Sequence, residues 1–75
     1  MFAVQAGSFQ MKENADDLVL ELGKRGFSAS VLHDQAQGRD RWRVFAGTGL
    51  EQDAAEAVRL KLSAAGFTGF LVRDK

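Results

Sequence analysis

Apolar and polar side chains alternate over residues 2–7. Phe2, Val4 and Ala6 fall on one side, Ala3 and Gln5 on the other, the two-residue period of a strand with one covered face. Gly7-Ser8 then reads as a turn that ends the strand. From about Asn14 the period lengthens, and Ala15, Leu18, Val19 and Leu22 form the stripe of an amphipathic helix. Glu13, Asp16 and Asp17 gather at its N-terminal end and Lys24 and Arg25 at its C-terminal end, matching the helix dipole. Gly26 suits the left-handed residue that stops a helix, whereas Gly23 interrupts the stripe at a cost of about 1 kcal/mol relative to Ala. Residues 27–32 read as a second strand. The polar segment Asp34–Asp40, which contains Gly38, reads as a hairpin loop. A strand over 41–47, a helix over about 53–65, a stop at Gly66 and a strand over 67–73 complete the pattern.

The second half repeats the first. Shifted by forty positions without gaps, Val4, Ala6 and Gly7 fall on Val44, Ala46 and Gly47, and Ala15, Leu20 and Leu22 on Ala55, Leu60 and Leu62. Gly26-Phe27 falls on Gly66-Phe67, Phe2 on Trp42, Ser8 on Thr48, Leu18 on Val58 and Val31 on Leu71. The coinciding residues are apolar side chains and glycines, the types that define a backbone, so residues 1–35 and 41–75 are two copies of one β-α-β unit within a single domain spanning 1–75. Two such units joined by a hairpin predict an α+β fold of the split β-α-β (ferredoxin-like) type. Its order is β-α-β-β-α-β, in a four-stranded antiparallel sheet ordered 4-1-3-2 with two helices on one face.

That arrangement assigns the two faces of the sheet. Val4, Ala6, Phe27, Ala29, Val31, Val44, Ala46, Phe67 and Leu71 lie under the helices and meet Leu18, Leu22, Val58 and Leu62. No third layer is left for the opposite face, which receives Ala3 and Gln5, Arg43 and Phe45, Ser28, Ser30 and Leu32, and Phe70 and Val72. An aromatic ring on an uncovered sheet marks a binding surface. Beside Gln and Arg it also suits a sugar: the ring stacks on the apolar side of a pyranose while amide and guanidinium groups bond its hydroxyls and carboxylates. Trp42 shares the core-facing phase of Val44, but it adjoins the polar loop, where a bulge could re-aim it toward a ligand. His33 is read as a surface residue near a strand end.

Composition removes several classes of function. Ten Lys+Arg balance ten Asp+Glu, unlike the basic excess that duplex nucleic acid demands. Cysteine is absent, which excludes disulfides, thiol chemistry and cysteine-held metal. With one His and no Tyr either, no nucleophile–base pair can be assembled, and neither catalysis, a cofactor nor a metal is expected. No stretch has the apolar length of a membrane span, and no charged-then-apolar leader opens the chain, so no membrane contact is expected of it. It starts almost directly on a strand and reads as a domain taken from a longer protein.

The run Val4-Gln5-Ala6-Gly7-Ser8-Phe9 followed by Asn14-Ala15 resembles the opening of the SPOR family. The resemblance continues through Lys24-Arg25-Gly26-Phe27, Trp42-Arg43-Val44-Phe45-Ala46-Gly47, Ala65-Gly66-Phe67 and Leu71-Val72-Arg73, covering essentially the whole chain. One departure is that Thr48-Gly49 follows Gly47 where the family usually has Pro-Phe. The resemblance implies a monomeric, non-catalytic module of the bacterial cell envelope that binds peptidoglycan glycan strands stripped of stem peptides. Such a module directs its parent protein to the division septum or to sites of cell-wall remodelling. Carried over by position, it points to Gln5, Ser8, Phe9, Trp42, Arg43 and Phe45 as glycan contacts. Arg43, with Arg39 and Arg41 close in sequence, would pair with the lactyl carboxylate that peptide removal exposes.

Two other classes share the topology. RNA-recognition motifs use aromatics on the same open face to bind single strands. The third strand, Arg41-Trp42-Arg43-Val44-Phe45-Ala46, lacks their glycine–aromatic core, and the net charge is zero. Small-molecule regulatory domains of ferredoxin-like fold are the other, and no residue here identifies an effector.

Overall fold

A computed structural model of the chain describes residues 1–73. The elements are β1 (Phe2–Phe9), α1 (Lys12–Lys24), β2 (Ser30–Ala36), β3 (Arg39–Leu50), α2 (Gln52–Ala64) and β4 (Phe70–Arg73). They build one four-stranded sheet in the order β2-β3-β1-β4, antiparallel throughout. This is the split β-α-β architecture expected from the repeat, with the first strand of each unit at the centre.

Val4 and Val44 on the central strands, Ala15 and Leu22 on α1, and Ala55 and Leu62 on α2 have no exposed surface and form one cluster, so both helices cover the same face. The equivalent alanines let each helix lie close to the sheet, and the equivalent leucines fill the space beneath. Phe27, Val31, Phe67 and Leu71 close the sides of the cluster. The helices end alike. Gly26 and Gly66 both adopt φ of +88°. Phe27 N–H donates to the Leu22 carbonyl (3.0 Å) and Phe67 N–H to the Leu62 carbonyl (2.9 Å). Both are Schellman stops, as the two glycines predicted.

The strand limits differ from those the alternation implied, β1 and β3 running longer while β2 and β4 start later, and they do so for three reasons. First, the polar segment is not a loop: β2 runs on to Ala36, β3 starts at Arg39, and only Gln37-Gly38 turns, with φ of +55° and +78°. Two positive φ angles make the twist of the turn match that of the strands. The segment is polar because its strand ends lie beyond the helices. Asparagine tolerates this conformation better than glutamine. Gln37→Asn should therefore raise the thermal midpoint, by about 4–8 °C for each ~1 kcal/mol of relieved strain in a domain of this size. A lower midpoint in a circular-dichroism melt would contradict that assignment of strain.

Second, Gly7-Ser8 does not end β1. The β1–β3 register shifts by one between Gln5↔Phe45 and Gly7↔Val44, again between Val4↔Gly47 and Gln5↔Phe45, and a third time between Phe2↔Leu50 and Val4↔Gly47. β1 thus carries one irregularity, at Ala6-Gly7, and β3 two, one of them at Ala46-Gly47, the same dipeptide in the two copies of the repeat. A Cβ on Gly7 would come within 2.9 Å of Leu18 on α1 and of the Phe9 ring; one on Gly47 would come within 2.9 Å of Leu50. The bulges therefore turn the glycines toward packed side chains and let both strands continue. Third, β2 begins only at Ser30 and β4 only at Phe70, so Ser28 lies before the sheet rather than on its open face.

Candidate functional site

The face away from the helices is organised by cross-strand rows. Ser30, Phe45, Gln5 and Phe70 make one row across all four strands; Leu32, Arg43 and Ser8 make the next. Ser8 stands beside Arg43 because the Ala6-Gly7 bulge reverses the phase of β1. The same reversal pairs Phe9 with Trp42, and both of these rings pack against the helix-side core. Of the six residues singled out from the sequence, Gln5, Ser8, Arg43 and Phe45 are thus brought together on the open face. Phe9 and Trp42 sit back to back with them, on the other side of the sheet.

Phe45 is not the exposed ring that an uncovered sheet implied: it is only 6% exposed, and its neighbours Ala3 and Gln5 are similarly enclosed. The side chains of its own face hide it. The Arg43 guanidinium carbon lies 5.0 Å from the centre of the Phe45 ring, within cation–π range. The apolar groups that reach water on this face are Leu32 and Phe70, 47% and 55% exposed on the outer strands. Between these elements runs a groove of about 290 Å³, lined by Ala3, Phe45 and Val72 with Ser30, Thr48 and Arg43. An apolar floor, two hydroxyls and a guanidinium can hold a ligand that is apolar on one side and oxygen-rich or anionic on the other.

The charge on this face is set where β2 leaves the helices. Arg41 donates two hydrogen bonds to Asp34, Nε to Oδ1 at 2.8 Å and Nη2 to Oδ2 at 2.9 Å. These bonds hold the Asp34 carboxyl below its ordinary range and raise the Arg41 guanidinium above its own. Arg43 gets less. Its Nε stands 3.9 Å from Asp34 Oδ2, beyond hydrogen-bond distance, and is buried without a partner. Sequence reading did not single out Asp34. Once Gln37-Gly38 is known to be a two-residue turn, simple counting places Asp34 opposite Arg41.

On the reverse side the His33 ring stacks on Trp42 with centroids 3.8 Å apart and planes within 10°. His33 Nε2 lies 3.0 Å from Asp40 Oδ1. That bond, with one from Gln35, lowers the Asp40 carboxyl from its usual range. His33, read as an isolated surface residue, therefore braces Trp42 at the root of the hairpin. Among the described residues no cluster of His, Cys, Asp and Glu could hold a metal ion, and no helix is long and apolar enough to cross a membrane.

Among solved structures, the chain is similar to the peptidoglycan-binding domain of the B. subtilis cell wall lytic enzyme CwlC. The two are 28% identical with a TM-score of 0.82, over 99% of this chain and 89% of that one. It is also similar to the RlpA SPOR domain from Pseudomonas aeruginosa, 18% identical with a TM-score of 0.81 over 99% and 100% of the two chains; at that identity the likeness is one of fold. No curated protein matches the chain. A family model described as SPOR domain matches residues 2–73, a span that takes in every described strand and helix and the groove, and the chain therefore belongs to the SPOR domain family.

Proposed function

We propose that this domain is a non-catalytic module that binds peptidoglycan in the bacterial cell envelope. Its ligand is glycan strands without stem peptides, and it carries its parent protein to the septum or to sites of wall remodelling. The observation that carries the reading is the open-face groove, whose apolar floor is bordered by the Ser30 and Thr48 hydroxyls and by the part-exposed Arg43 guanidinium over the buried Phe45. Membership of the family and the likeness to the CwlC domain support the same ligand class.

In this reading a sugar ring lies on the apolar floor while Arg43, Ser30 and Thr48 meet its polar groups, Ser8 extends the polar rim beside Arg43, and Gln5, buried next to Phe45, supports the floor. Phe45 acts from below by supporting the guanidinium at cation–π distance. Phe9 and Trp42 contribute from the far side of the sheet, by shaping the turn after β1 and the root of the hairpin. Stem-peptide removal turns a lactyl amide into a carboxylate, adding a charge that Arg43 can pair with and removing bulk from the groove.

The test is co-sedimentation with purified sacculi, with and without prior amidase digestion. The domain is expected to pellet with both and to favour the digested material. Equal binding to both would remove the stem-peptide selectivity, and no binding to either would remove peptidoglycan as the ligand. Tight binding to single-stranded RNA at moderate salt would replace the reading with the nucleic-acid one.

A further inference from the structure

Asp34 occupies a place that the proposed ligand chemistry does not explain. It is an acid on the face that would receive an anion, set between two arginines of one strand. It is bonded twice to Arg41 and lies 3.9 Å from the buried, unpartnered Nε of Arg43. Counting this trio alone, Arg41 and Arg43 carry two positive charges and Asp34 one negative, leaving one. Arg39, a pleat nearer the turn on β3, is exposed at the hairpin tip.

We propose that Asp34 is a specificity-determining residue: its carboxylate hydrogen-bonds Arg41 twice and reaches Arg43 only as an ion pair at 3.9 Å, so that Arg43 is the guanidinium of the pair left without a hydrogen-bonded carboxylate and available to one of the ligand. This rests on the glycan reading above and goes a step beyond it. Asp34 is the internal equivalent of the ligand's acid group, and the two compete for the same strand of arginines. Arg41 keeps Asp34 away from Arg43. Without Arg41, a small rotation of Asp34 would close the 3.9 Å gap and satisfy the orphaned Nε, and the groove would lose its anion site to the protein's own carboxylate. Without Asp34, both guanidiniums would face the ligand.

Two single substitutions in one ion pair should therefore act in opposite directions. Against a peptide-free tetrasaccharide from amidase-treated glycan, Asp34→Asn should bind about threefold or more tighter, the scale of one partly screened ion pair, and with steeper salt dependence. Arg41→Gln should bind weaker by a similar factor. The double variant returns the local charge to one and should bind close to the parent. The same tetrasaccharide with its carboxyls reduced to alcohols should not distinguish the four proteins. Asp53→Asn on the first turn of α2 makes the same change in net charge at a distance from the groove and should leave affinity unchanged. Thermal midpoints of all five confirm that the fold is kept; should Asp34→Asn fail to fold, Arg41→Gln against both sugars decides alone. Weaker binding by Asp34→Asn, unchanged binding by Arg41→Gln, or an equal gain from Asp53→Asn would overturn the role of Asp34 while leaving glycan binding standing. A parent domain that binds neither sugar overturns both.

Discussion

Leu22→Ala should lose about 2–5 kcal/mol of stability, and Leu62→Ala about the same. Each leucine is completely buried, so truncation leaves a cavity as well as losing transfer energy. A domain of this length has roughly 4–11 kcal/mol in total, and either variant should unfold in part near physiological temperature. The closeness of the two values is the sharper expectation. Each leucine lies in the middle of the cluster beneath its helix, and its carbonyl accepts the bond that ends that helix. Urea denaturation followed by circular dichroism measures both. Losses that differ by more than ~2 kcal/mol would mean that the two β-α-β units are not energetically equivalent. Leu22→Met and Leu62→Met, which nearly conserve volume, should cost less than about 1.5 kcal/mol.

Arg43 is where the largest loss of binding is expected. Hydrogen bonds to charged groups are worth about 1.5–3 kcal/mol, so Arg43→Gln should weaken binding to peptide-free glycan roughly ten- to a hundredfold. Arg43→Lys keeps the charge but not the planar two-point contact, and should fall between Gln and the parent. Salt should weaken the parent only modestly, because few ion pairs are involved and the remaining contacts are apolar or hydroxyl. In the alternative account, the arginine merely covers Phe45 with its side chain. Affinity would then follow stability, so thermal midpoints are needed beside the titrations. If Arg43→Lys matches the parent at two ionic strengths, carboxylate pairing must be abandoned and selectivity assigned to steric exclusion of the stem peptide. Phe45→Ala cannot serve this purpose: removing so buried a ring would cost about 3–5 kcal/mol of fold stability.

The outline of the fold was legible because two signals agreed. The spacing of Val4, Leu18, Leu22, Val44, Val58 and Leu62 sets the faces of strands and helices, and the forty-residue repeat makes each unit a check on the other. Gly26 and Gly66 marked both helix ends, because a left-handed residue is needed there and glycine adopts it without strain. The limits of the strands were not legible. A polar stretch such as Asp34–Ala36 reads as loop when it is in fact strand beyond the reach of the helices, its side chains paired across the hairpin. A glycine such as Gly7 reads as a turn when it is a bulge.

Sequence alone determined the class of fold, the core, and the assignment of Gln5, Arg43 and Phe45 to the face opposite the helices, since period-two alternation depends only on neighbours along the chain. Tertiary structure decided the rest of the site. The bulge at Ala6-Gly7 moved Ser8 beside Arg43 and sent Phe9 with Trp42 to the other side. The packing of one face sank Phe45 beneath a guanidinium, and the two-residue turn brought Asp34 to Arg41. Each of these outcomes is a pairing between strands, fixed by register and side-chain volume across a gap that local periodicity does not describe.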